Sequence, residues 1–206
     1  MKKRVIGFSF FAFYEKYAPI VFIAIFYVIG IIAGAISRNY IGHQTEVRLL
    51  DLFKALTSIN LSVSKLDIFM ASAVSNFLLF FLIFFFGLSV IGIPFIILLN
   101  TYKGFGIGFT FGFICSIYGF KGILICALTL LPQAIILSYL YIRISFEAVM
   151  NSYSLAKFYG RGARTKTDLP SLFDFSKLCF ILFLFSLSAS FYDTFISPFF
   201  IRLLCN

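Results

Sequence analysis

The stretch FFFGLSVIGIPFIILLNTYKGFGIGFTFGF, Phe84–Phe113, decides the fold class. From Ile68 to Ile142 only Lys103 and Lys121 are charged, whereas about 20 apolar residues already suffice for a helix to cross a bilayer. The chain of 206 residues is 61% hydrophobic, with a mean hydropathy of +1.03, which excludes an ordinary soluble domain. The alternating pattern of a membrane β-barrel is missing. The sequence therefore predicts an all-α, polytopic transmembrane helical bundle.

A single integral membrane domain, 1–206, with about five spans accounts for the hydropathy pattern. The spans are predicted at about 18–36, 70–90, 93–116, 122–142 and 178–197. Gly92 and Pro94 interrupt the apolar run between the second and third spans, so one long broken helix followed by a re-entrant loop is the alternative there. Lysine and arginine are more frequent in the connections on the side of the N-terminus, which favours a cytoplasmic N-terminus.

The net charge of +9 is interpreted as a topology signal and as attraction to anionic membrane lipid, not as a nucleic-acid footprint. The basic N-terminus and Ala33-Gly34-Ala35 together are similar to a signal peptide with its cleavage site. However, Glu15 and Lys16 separate the basic start from an apolar run that is long enough to span. This order favours an uncleaved first helix.

Two connections between spans are long, and neither holds enough residues for a domain with its own core. In the first, Leu49, Phe53 and Leu56 recur at helical spacing, which predicts an amphipathic helix on the outer membrane surface or against a partner. A helix that folds back on the bundle is the alternative. The second, between Arg143 and Lys177, lacks the spacing of a phosphate-binding loop and is interpreted as a cytoplasmic loop against lipid.

Familiar catalytic constellations cannot be assembled from this chain. His43 is the only histidine and lies in the predicted outer connection, so neither a multi-histidine zinc site nor a Ser-His-Asp triad can be assembled within the membrane. The cysteines Cys115, Cys126, Cys179 and Cys205 show no C-x-x-C spacing, so they indicate neither a metal site nor a disulfide framework. We therefore expect no enzymatic activity and no cofactor.

Lys103 is the unusual residue of the opening stretch. A lysine at a helix centre costs about 2.5–3.5 kcal/mol on insertion scales, and each flanking Leu, Ile or Phe returns about 0.3–0.6 kcal/mol. Insertion is feasible, but Lys103 should face a partner, a cavity or an interface. Asp193 is the only carboxylate within a predicted span, so we expect the two to pair. Lys103 then either neutralises a charge within the bundle or serves transport or partner binding.

A stripe of small residues lies beside this lysine. Gly104, Gly108 and Gly112 recur at every fourth position, and Gly30 and Gly34 form a second stripe in the first span. Small residues let two membrane helices approach closely, so the two stripes are candidate mates. The packing is either within one chain or against a helix of another protein.

Several short motifs follow one another in order along almost the whole chain. They are the runs 30–35 and 87–96, Lys103-Gly104-Phe105 with the glycines after it, Leu131-Pro132-Gln133 and Ser197-Pro198. In their order, spacing and total length they resemble the stage II sporulation protein M family.

The resemblance implies a role in endospore-forming bacteria, during engulfment of the forespore by the mother cell. Members of that family act in the mother-cell membrane, at the septum and the engulfing membrane, with stage II sporulation proteins D and P, which degrade peptidoglycan. The chain would then be a non-enzymatic scaffold that localises or holds proteins D and P, with no catalytic residue implied. The alternative is a small multi-span transporter or permease-like subunit, in which Lys103 lines a path and the break at Gly92 to Pro94 forms a half-helix site.

Overall fold

The computed structural model describes residues 3–42, 47–49, 65–161 and 172–196, and the side chains among them except those of 3–17, 158–161 and 172. The helices, labelled in chain order, are α1 Lys3–Ser37, α2 Lys65–Gly87, α3 Gly92–Tyr118, α4 Phe120–Thr129, α5 Leu131–Arg161 and α6 Leu172–Phe191. A 3-10 turn, Arg38–Tyr40, follows α1, and a π-helical turn, Tyr192–Ile196, follows α6. No strand occurs in these ranges, and the predicted all-α bundle is confirmed.

Four helices of the described part are long and apolar enough to cross a membrane: Ala18–Tyr40, Leu66–Gly87, Leu131–Lys157 and Phe173–Ile196. Three of them overlap the first, second and fifth predicted spans. The structure differs from the bounds predicted for the fourth span, 122–142, because the helix is interrupted at Leu130 and the helix that is long enough to cross extends from Leu131 to Lys157. Arg143 and Glu147 therefore lie on a helix, where they form a salt bridge at 2.8 Å, and not in a loop.

The helix α3 lies along α1 and runs parallel to it. Tyr27 faces Gly104, Ile31 faces Gly108 and Ala35 faces Gly112. At 1.5 Å per residue, the 27 residues of α3 extend over about 40 Å, which exceeds the hydrocarbon core of about 30 Å. It therefore has the length and the neighbour of a further span, and it lies at the third predicted position, 93–116.

A short turn, 88–91, joins α2 to α3. The Gly92 N–H donates to the Ser89 carbonyl oxygen at 3.2 Å and closes this turn. Pro94 falls in the first turn of α3, where its missing N–H leaves no helical hydrogen bond unmade. Two continuous helices thus meet here, and the alternative of one broken helix with a re-entrant loop is wrong.

The helix α4 folds back against the end of α3. Gly119 makes the reversal with a φ of +55°, which glycine adopts without strain. A Cβ built on Gly122 would lie 2.6 Å from the Ile114 carbonyl oxygen and 2.9 Å from Cys115 Cα, so the two backbones nearly touch. This half-length helix is therefore fixed against α3 before the chain enters α5.

The interior of the bundle contains many small and polar side chains. The buried polar residues are Asn76, Asn100, Thr129, Ser145, Asn151, Ser152, Ser186, Ser190 and Thr194. By contrast, Phe77, Phe81 and Phe85 of α2 are 49%, 50% and 59% exposed. Lipid gives no hydrophobic drive to bury an apolar side chain, so membrane helices associate through close packing and hydrogen bonds. The polar side chains therefore help to decide which faces of these helices meet.

Candidate functional site

Lys103 of α3 is held by one residue of α2 and one of α5. Its Nζ donates to Asn76 Oδ1 at 3.1 Å and lies 5.3 Å from the centroid of the Tyr141 ring. The Tyr141 hydroxyl donates to the same Asn76 oxygen, also at 3.1 Å. Asn76 is 3% and Tyr141 1% exposed, so the ammonium group is bound by a buried amide and an aromatic face.

A second group of hydrogen bonds surrounds Asp193 in the π-helical turn. Ser72 Oγ of α2 donates to Asp193 Oδ2 at 3.1 Å, and the Gln133 side-chain amide of α5 donates to the same oxygen. Ser72 Oγ also lies 3.2 Å from Ser190 Oγ, which accepts a hydrogen bond from Asn76 Nδ2 at 3.3 Å. The side chains around Lys103 and those around Asp193 are therefore one continuous network.

Lys103 and Asp193 line one cavity of about 550 Å³ between α2, α3, α5 and the π-helical turn. Both residues lie within the described part of the chain, and no salt bridge joins them. The connection that we predicted between them is instead indirect and runs through Asn76, Ser190 and Ser72.

The cavity combines a few polar groups with an apolar wall. Its other polar lining side chains are Ser75, Tyr102, Thr110 and Gln133, and its apolar lining residues include Leu79, Phe105, Ala134 and Leu137. Tyr102, Gly106 and Thr110 form part of the lining on α3 and are exposed, so the cavity reaches the surface of the bundle there.

Pro132 causes the break between α4 and α5. Proline has no N–H to donate to the carbonyl oxygen four residues earlier, which here belongs to Leu128. The Tyr192 hydroxyl donates to the Leu128 carbonyl oxygen in its place. A side chain thus replaces the missing backbone bond, as an interrupted helix in lipid requires. The same contact fixes the π-helical turn, and with it Asp193, beside Gln133.

The two predicted glycine stripes meet inside the chain. An added Cβ would overlap a backbone carbonyl oxygen of the facing helix at Gly30, Gly34, Gly104 and Gly108. At Gly112 the added Cβ would lie 3.0 Å from the Ala35 carbonyl oxygen, which is tight but requires a smaller shift. The glycine face of α3 is therefore already covered by α1.

The predicted amphipathic segment falls largely outside the described residues. Leu49 belongs to three helical residues, 47–49, and is half-buried. Phe53 and Leu56 lie outside the described part of the chain, so the role of this segment stays a prediction.

Sequence reasoning placed Lys103 and Asp193 in the site but missed the side chains that connect them. Asn76 is the only carboxamide in α2, and Ser72 precedes it by four residues, so both lie on one face of that helix. Polar residues inside a membrane span generally face the bundle interior, and this rule was the available signal. Tyr141 carried no comparable signal, because tyrosine is common in apolar helices.

The network can bind polar groups and hold helices together. Within the described ranges, no group of three His, Cys, Asp or Glu side chains could hold a metal ion. Asn100, one turn before Lys103, is fully buried, and its Oδ1 has no hydrogen-bond partner among the described residues. Its Nδ2 donates to the Ile96 carbonyl oxygen at 2.9 Å and to Ser145 Oγ, which ties α3 to α5.

Several apolar helices around a buried network with an ammonium and a carboxylate group define a multi-pass, all-α membrane protein. Residues 23–198 match the family described as stage II sporulation protein M. The chain therefore belongs to the stage II sporulation protein M family and is a sporulation-related membrane protein. The matched residues contain all the side chains of the network. No curated protein and no solved structure shows a significant match.

Proposed function

We propose that the chain is a non-enzymatic membrane scaffold of the engulfment machinery in sporulating cells. It holds the peptidoglycan-degrading proteins D and P at the septal and engulfing membranes of the mother cell. The observation that carries this proposal is family membership over residues 23–198, which include the membrane bundle.

The packing of the bundle limits the surfaces to which a partner helix could bind. The glycine face of α3 is covered by α1, so a partner has to use another surface. The exposed apolar residues of α2, such as Phe77, Phe81 and Phe85, offer one that is rich in aromatic side chains. Membrane helices associate through van der Waals packing and hydrogen bonds, and these exposed rings offer a surface for packing. The scaffold proposal therefore favours the outward face of α2 over the glycine stripe.

The test is deletion of the gene in its spore-forming host, followed by membrane staining during sporulation. We expect forespores that stall behind a flat or bulging septum, with rescue by the wild-type gene. Co-purification of proteins D and P in mild detergent should fall for Phe81→Ala and stay unchanged for Phe22→Ala, an exposed phenylalanine on α1. Normal engulfment in the deletion strain would refute the proposal. Equal co-purification of both variants would refute the α2 surface.

A small transporter is the second candidate, and the cavity beside Lys103 is the observation that favours it. The half-helix site predicted at Gly92 to Pro94 does not contribute, because a plain turn lies there. Vesicles reconstituted with the pure protein should take up no solute if the protein is a scaffold alone. Uptake that is lost in Lys103→Met would favour the transporter.

A further inference from the structure

Two ionisable side chains in this membrane bundle have hydrogen-bonding capacity that the described residues do not use. An ammonium group has three N–H donors, and among these residues only Asn76 accepts one from Lys103. Asp193 accepts both of its side-chain hydrogen bonds at Oδ2, which leaves Oδ1 without a donor there. Because a charged group is expensive to leave unsatisfied at membrane depth, something polar has to complete both.

Both incomplete groups line the same cavity. Its volume of about 550 Å³ falls within the range of small-molecule sites, roughly 300–1,000 Å³. The wall is mostly apolar and carries a few convergent polar groups, which is the usual composition of such sites. At about 30 Å³ for each water molecule, this volume corresponds to roughly 18 waters, so a small organic molecule also has room.

The backbone next to the cavity is irregular on two sides. Leu130, Gln133 and Ala134 line the cavity at the Pro132 break, and Asp193 lies in the π-helical turn. Irregular helices at membrane depth are tolerated where they face protein or a polar cavity, and π-helical turns occur often at functional sites. The irregular backbone is a separate observation from the two incompletely bonded charges, and both are found at the same cavity.

We propose that this cavity is a hydrated site within the membrane for a small zwitterion, whose carboxylate accepts from Lys103 and whose ammonium group donates to Asp193. A single anion would satisfy Lys103 and be repelled by Asp193, and a single cation would meet the reverse situation. A molecule with both groups completes both side chains and adds no net charge to the membrane interior. The proposal goes beyond the scaffold function and does not depend on it.

Cysteine labelling tests whether water enters the cavity. Ala134 lines the cavity and Ala73 of α2 does not, and both are 9% exposed, so Ala134→Cys and Ala73→Cys form a matched pair. The protein is reconstituted in vesicles and treated with a charged, membrane-impermeant methanethiosulfonate. Mass spectrometry then reads each site separately, so the native cysteines stay in place. We expect labelling of Ala134→Cys to be at least about tenfold faster, because the reactive thiolate forms where water solvates it.

The ligand is tested by protection of the same site. Glycine, as the probe zwitterion, should slow the labelling of Ala134→Cys in a concentration-dependent manner, whereas acetate or methylammonium should not. The protection should be lost in Lys103→Met and in Asp193→Asn. If Ala134→Cys reacts no faster than Ala73→Cys, the cavity is dry and the proposal is overturned. If glycine protects no better than acetate or methylammonium, the cavity holds water only and the zwitterion assignment is overturned.

Should Ala134→Cys fail to insert, a second pair on α3 gives the same comparison. Thr110 lines the cavity, and within the described ranges its hydroxyl donates only to the Gly106 carbonyl oxygen of its own helix. Leu98 is 64% exposed and does not line the cavity. Thr110→Cys should react faster than Leu98→Cys and should be protected by glycine. The readout is labelling chemistry, so a failed engulfment test leaves it unaffected, and the reverse also holds.

Discussion

Adding one methyl group to α3 should give opposite results at two glycines that are two residues apart. A Cβ built on Gly108 would overlap the Ile31 carbonyl oxygen and lie 2.8 Å from Ile31 Cα. A Cβ built on Gly106 meets no atom within 4 Å among the described residues, apart from its own chain neighbours and the backbone of the adjacent helical turns. Gly108→Ala should therefore separate α1 from α3, whereas Gly106→Ala should be accepted without movement.

The size of the difference follows from two effects. Alanine is favoured over glycine in a helix interior by about 0.8–1.0 kcal/mol, and this gain applies at both positions. Overpacking costs about 1–3 kcal/mol, and the upper end applies at Gly108 because the obstacle is backbone, which cannot rotate away. Gly106→Ala should thus gain up to about 1 kcal/mol and Gly108→Ala should lose about 2 kcal/mol net. A difference of about 3 kcal/mol is roughly a hundredfold change in the unfolding equilibrium.

The measurement is an unfolding titration with sodium dodecyl sulfate in mixed micelles, followed by the near-ultraviolet circular dichroism of the 11 tyrosines. Gly112→Ala is an intermediate case, because its Cβ would lie 3.0 Å from the Ala35 carbonyl oxygen and the two helices would have to move apart less than at Gly108. The expected order of stability is Gly106→Ala, then Gly112→Ala, then Gly108→Ala. Equal stability of the Gly106 and Gly108 variants would refute the reasoning, because it would mean that α1 does not cover this face.

The same titration tests the polar network. Tyr192→Phe should lower the free energy of unfolding by about 1 kcal/mol, because the Leu128 carbonyl oxygen loses its donor. That loss should disappear in a Pro132→Ala background, where the restored N–H supplies the bond; an equal loss in both backgrounds would contradict the assignment. Lys103→Met and Asp193→Asn, made singly and together, should couple by about 0.5–1 kcal/mol, the low end for residues of one network. A coupling above about 2 kcal/mol would indicate direct contact. Asn76→Leu should cost about 3 kcal/mol, because it removes the acceptor of both the Lys103 ammonium group and the buried Tyr141 hydroxyl group; a neutral result would remove Asn76 from the centre of the network.

The features that the sequence predicted well are those that a short stretch determines. A helical bundle follows from apolar length alone, and the two glycine stripes follow from a spacing of four residues. Lys103 is identified by its charge in an apolar run, without knowledge of its neighbours. Each of these features is determined by a local pattern of residues.

The position of the fourth span could not be read from hydropathy. The residues from Gly122 to Ile142 carry no charge and are mostly apolar, so a sliding average does not reveal the interruption. Pro132 was the visible signal for a break, but proline is tolerated in membrane helices and does not by itself define an end. Beyond it, Arg143 and Glu147 neutralise each other one turn apart, which lets the helix continue past two charges that would otherwise suggest a loop.

The partners of Lys103 could not be deduced because they depend on how four elements meet. Asn76, Tyr141 and Asp193 come from α2, α5 and the turn after α6, and no local pattern relates them. The predicted direct pair of Lys103 and Asp193 rested on their opposite charges alone. In the structure an amide and two hydroxyl groups lie between the charges, and polar uncharged residues are harder to rank in a sequence because many of them bond only to their own helix.

The glycines that contact α1 and the lysine of the polar network both belong to α3, so the packing of α3 against α1 affects the position of Lys103. Gly104 follows Lys103 directly and is pressed against the Tyr27 backbone of α1. The Tyr27 hydroxyl lies 2.7 Å from Ser138 Oγ of α5, so α1 contacts both of the helices that supply Lys103 and Tyr141. The hydrogen bond from Lys103 Nζ to Asn76 Oδ1 is already 3.1 Å long, so a further increase in this distance would weaken it. Displacing α1 from α3 should therefore disturb the cavity as well as the fold, because the close backbone contact sets the position from which Lys103 reaches its partners.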